Sequence, residues 1–260
     1  MIQKDHLPYE KSEIAVLIPA LNEEKNLQEL LPLLKKSYRV IVIDNGSTDQ
    51  TLSVAKIVGV EAIQCLQKGY GSTILAALKY LSINKKNSPK IIVIFDGDGT
   101  SPMESIHPMI QKILKENFEL VIGQRCFRTE GSMPIQGVWG NWIIVRLIGF
   151  LTGVQYLDMG SLRAVKYETL QSLQMQDKTW GWNVEMQIKA AMRRIKICEM
   201  KIPYLKRKYG KSKISGNLLG FLRAGSKIML CIFFYFAKEK IFHKPHKMNS
   251  ATNSIKHFKI

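Results

Sequence analysis

Short apolar runs and amphipathic segments alternate between Ile14 and Ile122. Ile14–Ile18 is uninterrupted and stops at Pro19, the pattern of a strand buried on both faces. Leu27, Leu30, Leu31 and Leu34 follow at helical spacing within Glu23–Lys35, and Asn22 stands where an N-cap would. Val40–Ile43 predicts a second strand. The turn-forming run Asp44–Asp49 then feeds a helix over Gln50–Val58. Glu61–Cys65 reads as a third, shorter strand, and Gly69-Tyr70-Gly71-Ser72 opens a helix that runs through Leu81. Ile91–Phe95 is the most hydrophobic strand of the series, which Leu120–Ile122 completes. This alternation predicts an α/β fold with a mainly parallel central sheet flanked by helices.

In such a sheet, ligands bind beyond the carboxyl ends of the strands. The first strand ends in Pro19-Ala20-Leu21-Asn22-Glu23 rather than a G-x-G-x-x-G fingerprint, and the chain has no G-x-x-x-x-G-K-[ST]. The second strand ends in Asp44 and the fourth in Asp96-Gly97-Asp98-Gly99. Alternate residues of an extended segment point the same way, so Asp96 and Asp98 can converge. Two carboxylates left open at a rim suit Mg2+ or Mn2+, which completes its shell with water and phosphate oxygens. The same residues also serve as ordinary turn formers. Their place after an apolar strand is what favours a site.

Beyond Ile122 two apolar stretches stand out. Met133–Val154 is largely apolar but holds Arg146 near its middle, and Ile228–Ala237 is unbroken between Lys227 and Lys238. Neither is an uninterrupted run of the roughly 18–20 residues that a membrane span needs. Asn217–Phe242 reads instead as one broadly apolar helix with Arg223, Lys227, Lys238 and Lys240 reaching outward, suited to the headgroup region of a bilayer. Packing of this helix on the domain or on a second subunit is the competing expectation. Trp139 and Trp142, flanking Gly140-Asn141, suit a lipid interface too, while Trp180 and Trp182 suit either that interface or a sugar face. Met186, Ile188 and Met192 read as helix core.

Charge sharpens the picture. Residues 1–180 hold 20 Lys or Arg against 18 Asp or Glu, whereas residues 181–260 hold 18 against 3. A nearly neutral body with a basic last third faces something anionic: phospholipid, nucleic acid or a phosphorylated substrate. The four cysteines are scattered without a C-x-x-C pair, which predicts neither a zinc site nor a disulfide framework and fits a reducing compartment. Met1–Lys11 is polar and has no apolar signal-peptide core.

An ordered set of motifs carries a resemblance. Ile18-Pro19-Ala20-Leu21-Asn22-Glu23, Asp44-Asn45-Gly46-Ser47-Thr48-Asp49-Gln50-Thr51 and Asp96-Gly97-Asp98 resemble the N-terminal motifs of family 2 glycosyltransferases of the GT-A (nucleotide-diphospho-sugar transferase) fold. Lys68-Gly69-x-Gly71, Gly123-Gln124-Arg125, Asp158–Ala164, Gly181-Trp182-x-x-Glu185 and Arg207–Lys213 continue the match toward the dolichol-phosphate mannosyltransferase-like branch. The resemblance implies a GT-A domain over 13–215, preceded by a polar segment 1–12. The apolar helix at 216–242 and a basic polar tail at 243–260, expected to be disordered, complete the chain. It further implies that Pro19, Ala20, Asn22, Glu23, Asp44, Lys68 and Gly69 surround a UDP- or GDP-hexose donor. Asp96 and Asp98 would hold the divalent ion on its diphosphate. Arg125, Arg163, Arg207, Lys211 and Lys213 would meet donor or acceptor phosphates. Gln124 stands where that branch has Ser, and Gly99-Thr100-Ser101-Pro102 where it has Leu-Gln-His-Pro, so the donor and acceptor stay open.

The implied chemistry is an inverting, metal-dependent hexosyl transfer, most simply to a polyprenyl phosphate at the cytoplasmic face of the plasma membrane. A phosphate acceptor is already anionic and needs little general-base help, whereas a hydroxyl acceptor would need a base. Glu185 and Asp158 are the candidates for that base. Their alternatives are a salt-bridged helix residue and an Arg163 partner or turn cap. A soluble glycosyltransferase with a hydroxyl acceptor is the competing function. A basic nucleic-acid-binding protein is the remote one, since Tyr204 and Tyr209 interleave with cations but no nucleic-acid-binding signature accompanies them. A second copy of the chain is left open as a partner.

Overall fold

The computed structural model describes residues 9–83, 88–127, 135–210, 218–242 and 256–258. Its elements in chain order are β1 (Ile14–Ala20), α1 (Glu24–Ser37), β2 (Arg39–Asp44), α2 (Thr51–Val58), β3 (Glu61–Gln64), α3 (Tyr70–Ile83), β4 (Ile91–Ile94), α4 (Ile106–Glu116), β5 (Leu120–Phe127) and α5 (Ile135–Thr152). There follow β6 (Arg163–Lys166), α6 (Tyr167–Ser172), α7 (Trp182–Met192), β7 (Ile197–Tyr204), α8 (Leu218–Phe242) and β8 (Lys256–Phe258). The strands form one sheet in the order β3-β2-β1-β4-β6-β5-β7-β8. All neighbours are parallel except β6, which runs antiparallel to β4 and β5. This is the mainly parallel, helix-flanked α/β sheet that the apolar pattern predicts.

Alternation within the strands divides the core in two. Ala15, Leu17, Ile41, Ile43, Ile92 and Ile94 face α3, α5, α7 and α8. Ile14, Val16, Val40, Val42, Ile91 and Val93 face α1, α2 and α4. Burial on both faces leaves no polar positions in β1 or β4, which is why each reads as a continuous apolar run. On the second face Leu27 and Leu31 of α1 are fully buried, each worth roughly 1.5–3 kcal/mol of burial. Replacing Leu27 by Ala would cost about 2–5 kcal/mol through the cavity left behind.

The chain winds outward from β1 to β3, then returns to place β4 on the other side of β1. The strand order therefore reverses between β1 and β4, and a crevice opens beyond their carboxyl ends. Pro19 fits inside β1 because of this geometry. Leu17 accepts the Phe95 N–H and so faces β4, and Pro19 faces the same way two residues on, where β4 has ended. No ladder donor is lost there.

Two local expectations change. α1 starts at Glu24 with Glu23 as its N-cap residue, while Asn22 adopts a left-handed φ of 53°. The Asn22 side chain does not cap the helix; its Oδ1 accepts the Thr48 N–H at 2.8 Å and ties two rim loops together. Lys256–Phe258, expected to lie in a disordered polar tail, pairs in parallel with β7 as an edge strand. Residues 243–255 lie outside the described residues. Among the described residues no helix is long and apolar enough to cross a membrane.

Candidate active site

Three strand ends and their loops knit into one rim. Asp44 closes β2 with its carboxylate 3.3 Å from the Ser47 N–H and is almost fully buried. The neighbouring Asn45 donates its amide to the Cys65 and Gln67 carbonyls and accepts the Gly69 N–H at 2.9 Å. It thereby fixes the loop that presents Lys68, whose side chain is exposed. Gly69 and Gly71 back directly onto a second strap, residues 177–179. A Cβ on Gly69, whose φ is +129°, would sit 2.1 Å from the Lys178 carbonyl oxygen, and one on Gly71 would sit 2.0 Å from that of Asp177. Only glycine allows this contact.

Asp96 and Asp98 follow β4 into the crevice. Gly97 between them fits closely over the core beneath: a Cβ there would be 3.0 Å from Ile18 Cγ2 and 3.1 Å from Leu27 Cδ2, which would have to give way. Burial pushes the Asp96 carboxyl up to about 6, the charge of Asp98 adds to this, and the Ser161 and Tyr70 hydroxyls and Arg125 oppose it. Asp98 Oδ1 accepts the Thr100 N–H at 3.0 Å and its hydroxyl at 2.7 Å. Asp98 Oδ2 accepts a hydrogen bond from Arg207 at 2.7 Å, and the other arm of that guanidinium reaches Glu23 Oε1 at 3.0 Å. Glu23 Oε2 in turn accepts from Asn26. Tyr204, at the end of β7, stands over this basin with Arg125 against its ring at 5.6 Å.

These residues fit a divalent ion. Two carboxylates repel one another in a confined basin, and a cationic guanidinium already stands on one of them. Among the described residues no group of three or more His, Cys, Asp or Glu could hold a metal by itself. An ion there would need oxygens from outside the protein, which is how Mg2+ and Mn2+ are held on diphosphates.

Arg125, Asp158 and Glu199 form a second layer. Arg125 donates its backbone N–H and Nε to Asp158 Oδ2, each at 2.8 Å, and its second arm to Oδ1 at 2.6 Å. That arm also reaches Asn141 Oδ1 of α5 at 3.3 Å. Asp158 is thus a buried clamp on Arg125, its hydrogen-bonded ion-pair partner, while Arg163 is near enough to feel its charge. Glu199, fully buried, accepts the Leu157 and Asp158 N–H groups and holds this loop in place.

Three expectations are corrected by burial. Arg163 is fully buried and directs its donors to the Gly160 and Asn183 carbonyls and to Gln187 Oε1, so it cannot meet a phosphate in the crevice. Burial also lowers its pKa to about 10. Glu185 is fully buried as well, accepting the Gln176 and Asp177 N–H groups and pairing with Lys189 at 2.7 Å. It is the salt-bridged helix residue, not a base. Trp182 is core, with no face open to a sugar, whereas Trp180 is exposed. Lys211 and Lys213 lie outside the described residues. The crevice therefore brings together Glu23, Asp96, Asp98, Arg125 and Arg207, with Pro19, Ala20 and Asp44 along its rim. The motifs alone did not single out Asn45, Tyr70, Ser161 or Tyr204. The first three stand inside motif stretches, so their positions, though not their roles, were on display.

Known proteins resemble this chain in sequence and in fold. The family model described as glycosyl transferase family 2 matches residues 15–196. An uncharacterized protein of Methanocaldococcus jannaschii is 31% identical over 234 residues, covering 86% of this chain and 94% of the relative. A dolichyl-phosphate hexose transferase of Haloferax volcanii is 28% identical over 229 residues, covering 86% and 96%. Among solved structures, glucosyl-3-phosphoglycerate synthase of Mycobacterium tuberculosis, in complex with Mn2+, uridine diphosphate and phosphoglyceric acid, superposes with a TM-score of 0.65 at 21% identity. That match covers 86% of this chain and 78% of the other.

Proposed function

The chain belongs to glycosyl transferase family 2 and is a glycosyltransferase of the GT-A fold, and from that premise we propose the reaction it performs. It moves a hexose, with inversion, from a UDP- or GDP-sugar to a polyprenyl phosphate at a membrane surface. The observation that carries this reading is the basin at the strand-order reversal, where Asp96 and Asp98 meet Arg125 and Arg207. Asp44 and the Pro19–Glu23 segment take the nucleoside along the rim. Asp96 and Asp98 would hold a divalent ion, which when bound would supply positive charge against the negative charge that builds on the leaving diphosphate. Arg125, locked by Asp158, orients a phosphate without spending freedom on the approach to the transition state. An acceptor phosphate oxygen forms the new bond to the anomeric carbon as the bond to the diphosphate breaks, and the electron pair leaves with the nucleotide.

Two observations favour a lipid phosphate over a soluble hydroxyl. Both candidate bases, Glu185 and Asp158, are buried and committed, which suits an acceptor that is anionic from the start. α5 exposes Trp139, Trp142 and Phe150 and, on another side of the same helix, carries the Asn141 that touches Arg125. α8 adds Leu230, Phe233 and Phe234, with Lys238 against the Phe234 ring. Apolar side chains interleaved with cations suit an anionic bilayer. The Haloferax volcanii relative, a dolichyl-phosphate hexose transferase, supports the same acceptor class.

The test offers labelled UDP-glucose and GDP-mannose, with Mn2+, to vesicles containing a polyprenyl phosphate. Label should enter the organic-extractable fraction and stay out of it with EDTA. Transfer only to soluble hydroxyl compounds would replace this reading with the soluble one.

A further inference from the structure

The strap that follows β7 closes over the acidic pair. Leu205 donates its N–H to the Thr100 carbonyl at 2.8 Å, and Lys208 and Tyr209 both reach Glu29 Oε1, at 2.6 and 2.8 Å. The Lys208–Glu29 pair is more than half exposed and therefore contributes little. Arg207 is different. Its side chain is 19% exposed, and its two arms join acids from separate elements: Glu23 at the start of α1, 7% exposed, and Asp98 beyond β4, 16% exposed. Such forked, partly buried, charge-assisted bonds are the strong ones.

The distribution of bonds on Asp98 gives this contact a consequence. Oδ1 is taken by the two Thr100 donors, while Oδ2 faces Arg207. Oδ2 is thus the oxygen a divalent cation would use, and the guanidinium stands on it. We infer that Arg207 is a built-in counter-cation that holds the strap shut and competes with the divalent ion for Asp98 Oδ2. The ion and the closed strap exclude one another, so metal binding must release Arg207 together with residues 205–210. The apparent metal affinity of the free protein is then the intrinsic affinity reduced by the fraction of molecules with the strap open. A metal that arrives already bound to a diphosphate brings anionic oxygens to which the freed guanidinium can turn. This inference rests on the reading of Asp96 and Asp98 as the metal carboxylates.

The test measures binding of Mn2+ alone, from the electron paramagnetic resonance signal of the free ion, in the wild type, Arg207→Ala, Arg207→Lys and Asp98→Asn. Arg207→Ala should bind Mn2+ on the order of tenfold more tightly, as expected of a strap closed in about nine molecules of ten. Arg207→Lys keeps the charge but has no fork to span two acids, so it should also bind more tightly than wild type. Added Mn2+ should raise tryptic cleavage after Lys206, Arg207 and Lys208 in the wild type. An unchanged affinity in Arg207→Ala overturns the inference. So does a gain confined to the Ala variant with wild-type affinity in the Lys variant, which would be a plain charge effect. Undiminished Mn2+ binding by Asp98→Asn would strike the metal reading itself, and the inference would fall with it.

Discussion

Glu199 shows how much of a site's geometry depends on residues that never touch a ligand. Its carboxyl is buried against the backbone of Leu157 and Asp158, with Tyr156, Asp158 and Arg163 as its charged or titratable neighbours. Burial, and then the charge of Asp158, raise its pKa from 4.5 to about 7. The folded protein therefore holds this proton more tightly than the unfolded chain does. Stability from this group is full below about pH 4.5 and is lost as the pH rises to about 7, by up to about 3 kcal/mol. Urea unfolding of the wild type and Glu199→Gln at pH 5 and pH 8 should show the wild type losing ground to the variant at the higher pH. Parallel stabilities at both pH values would contradict the assignment. Nothing in the sequence marks Glu199, because one carboxylate in an apolar strand looks the same whether it is solvated or buried. Arg163 and Glu185 fail for the same reason. They stand in the right motifs, but motif membership does not say whether a side chain enters the crevice or the core. Asp96 and Asp98 were legible because an apolar strand ending in alternate acids fixes both their place and their convergence.

At the scale of elements, legibility follows burial. β1, β2 and β4 are covered on both faces and announce themselves as apolar runs. β6 is four residues beginning with the buried Arg163, and β8 is Lys256–Phe258, so neither has an apolar run to read. α8 was foreseen as a single helix that either lies on a membrane or packs on protein, and one of its sides packs on the domain. Ile232, Tyr235 and Glu239 recur at helical spacing and are buried, with Glu239 forked to Arg193 of the segment after α7. Tyr235 and Cys231 also meet Asp177 of the strap behind Gly71. The opposite side leaves Leu230, Phe233 and Phe234 exposed. Deleting the helix would therefore uncover the core, and point changes are the sounder probe. Serine at Trp139, Trp142, Phe233 and Phe234 should abolish salt-sensitive sedimentation with phosphatidylglycerol vesicles, each aromatic contributing roughly 1–2 kcal/mol, while leaving thermal stability nearly unchanged. Wild-type sedimentation by this variant would remove the apolar face from the membrane reading.

For the molecule as a whole, the arrangement divides labour between the two ends of the chain. The balanced N-terminal part builds the rim from loops after β1, β2, β3 and β4. The basic C-terminal part supplies Arg207 and the helix whose outer face is apolar. Sheet topology joins them: β7, two strands from β6, delivers its following strap back across the β4 loop, so residues 109 positions apart share one ion pair. A contact of that range has no local sequence signal, although each partner sits in a recognisable motif. In the proposed reaction this shared basin binds a nucleotide-sugar through a divalent ion that Asp96 and Asp98 would hold. Calorimetric titration of UDP-glucose and GDP-mannose, with Mn2+ or with EDTA, tests it most directly when repeated on Asp98→Asn. The nucleotide-sugar which binds should do so only with Mn2+, and about a hundredfold or more weakly in the variant. A donor affinity indifferent to both EDTA and Asp98→Asn would contradict it.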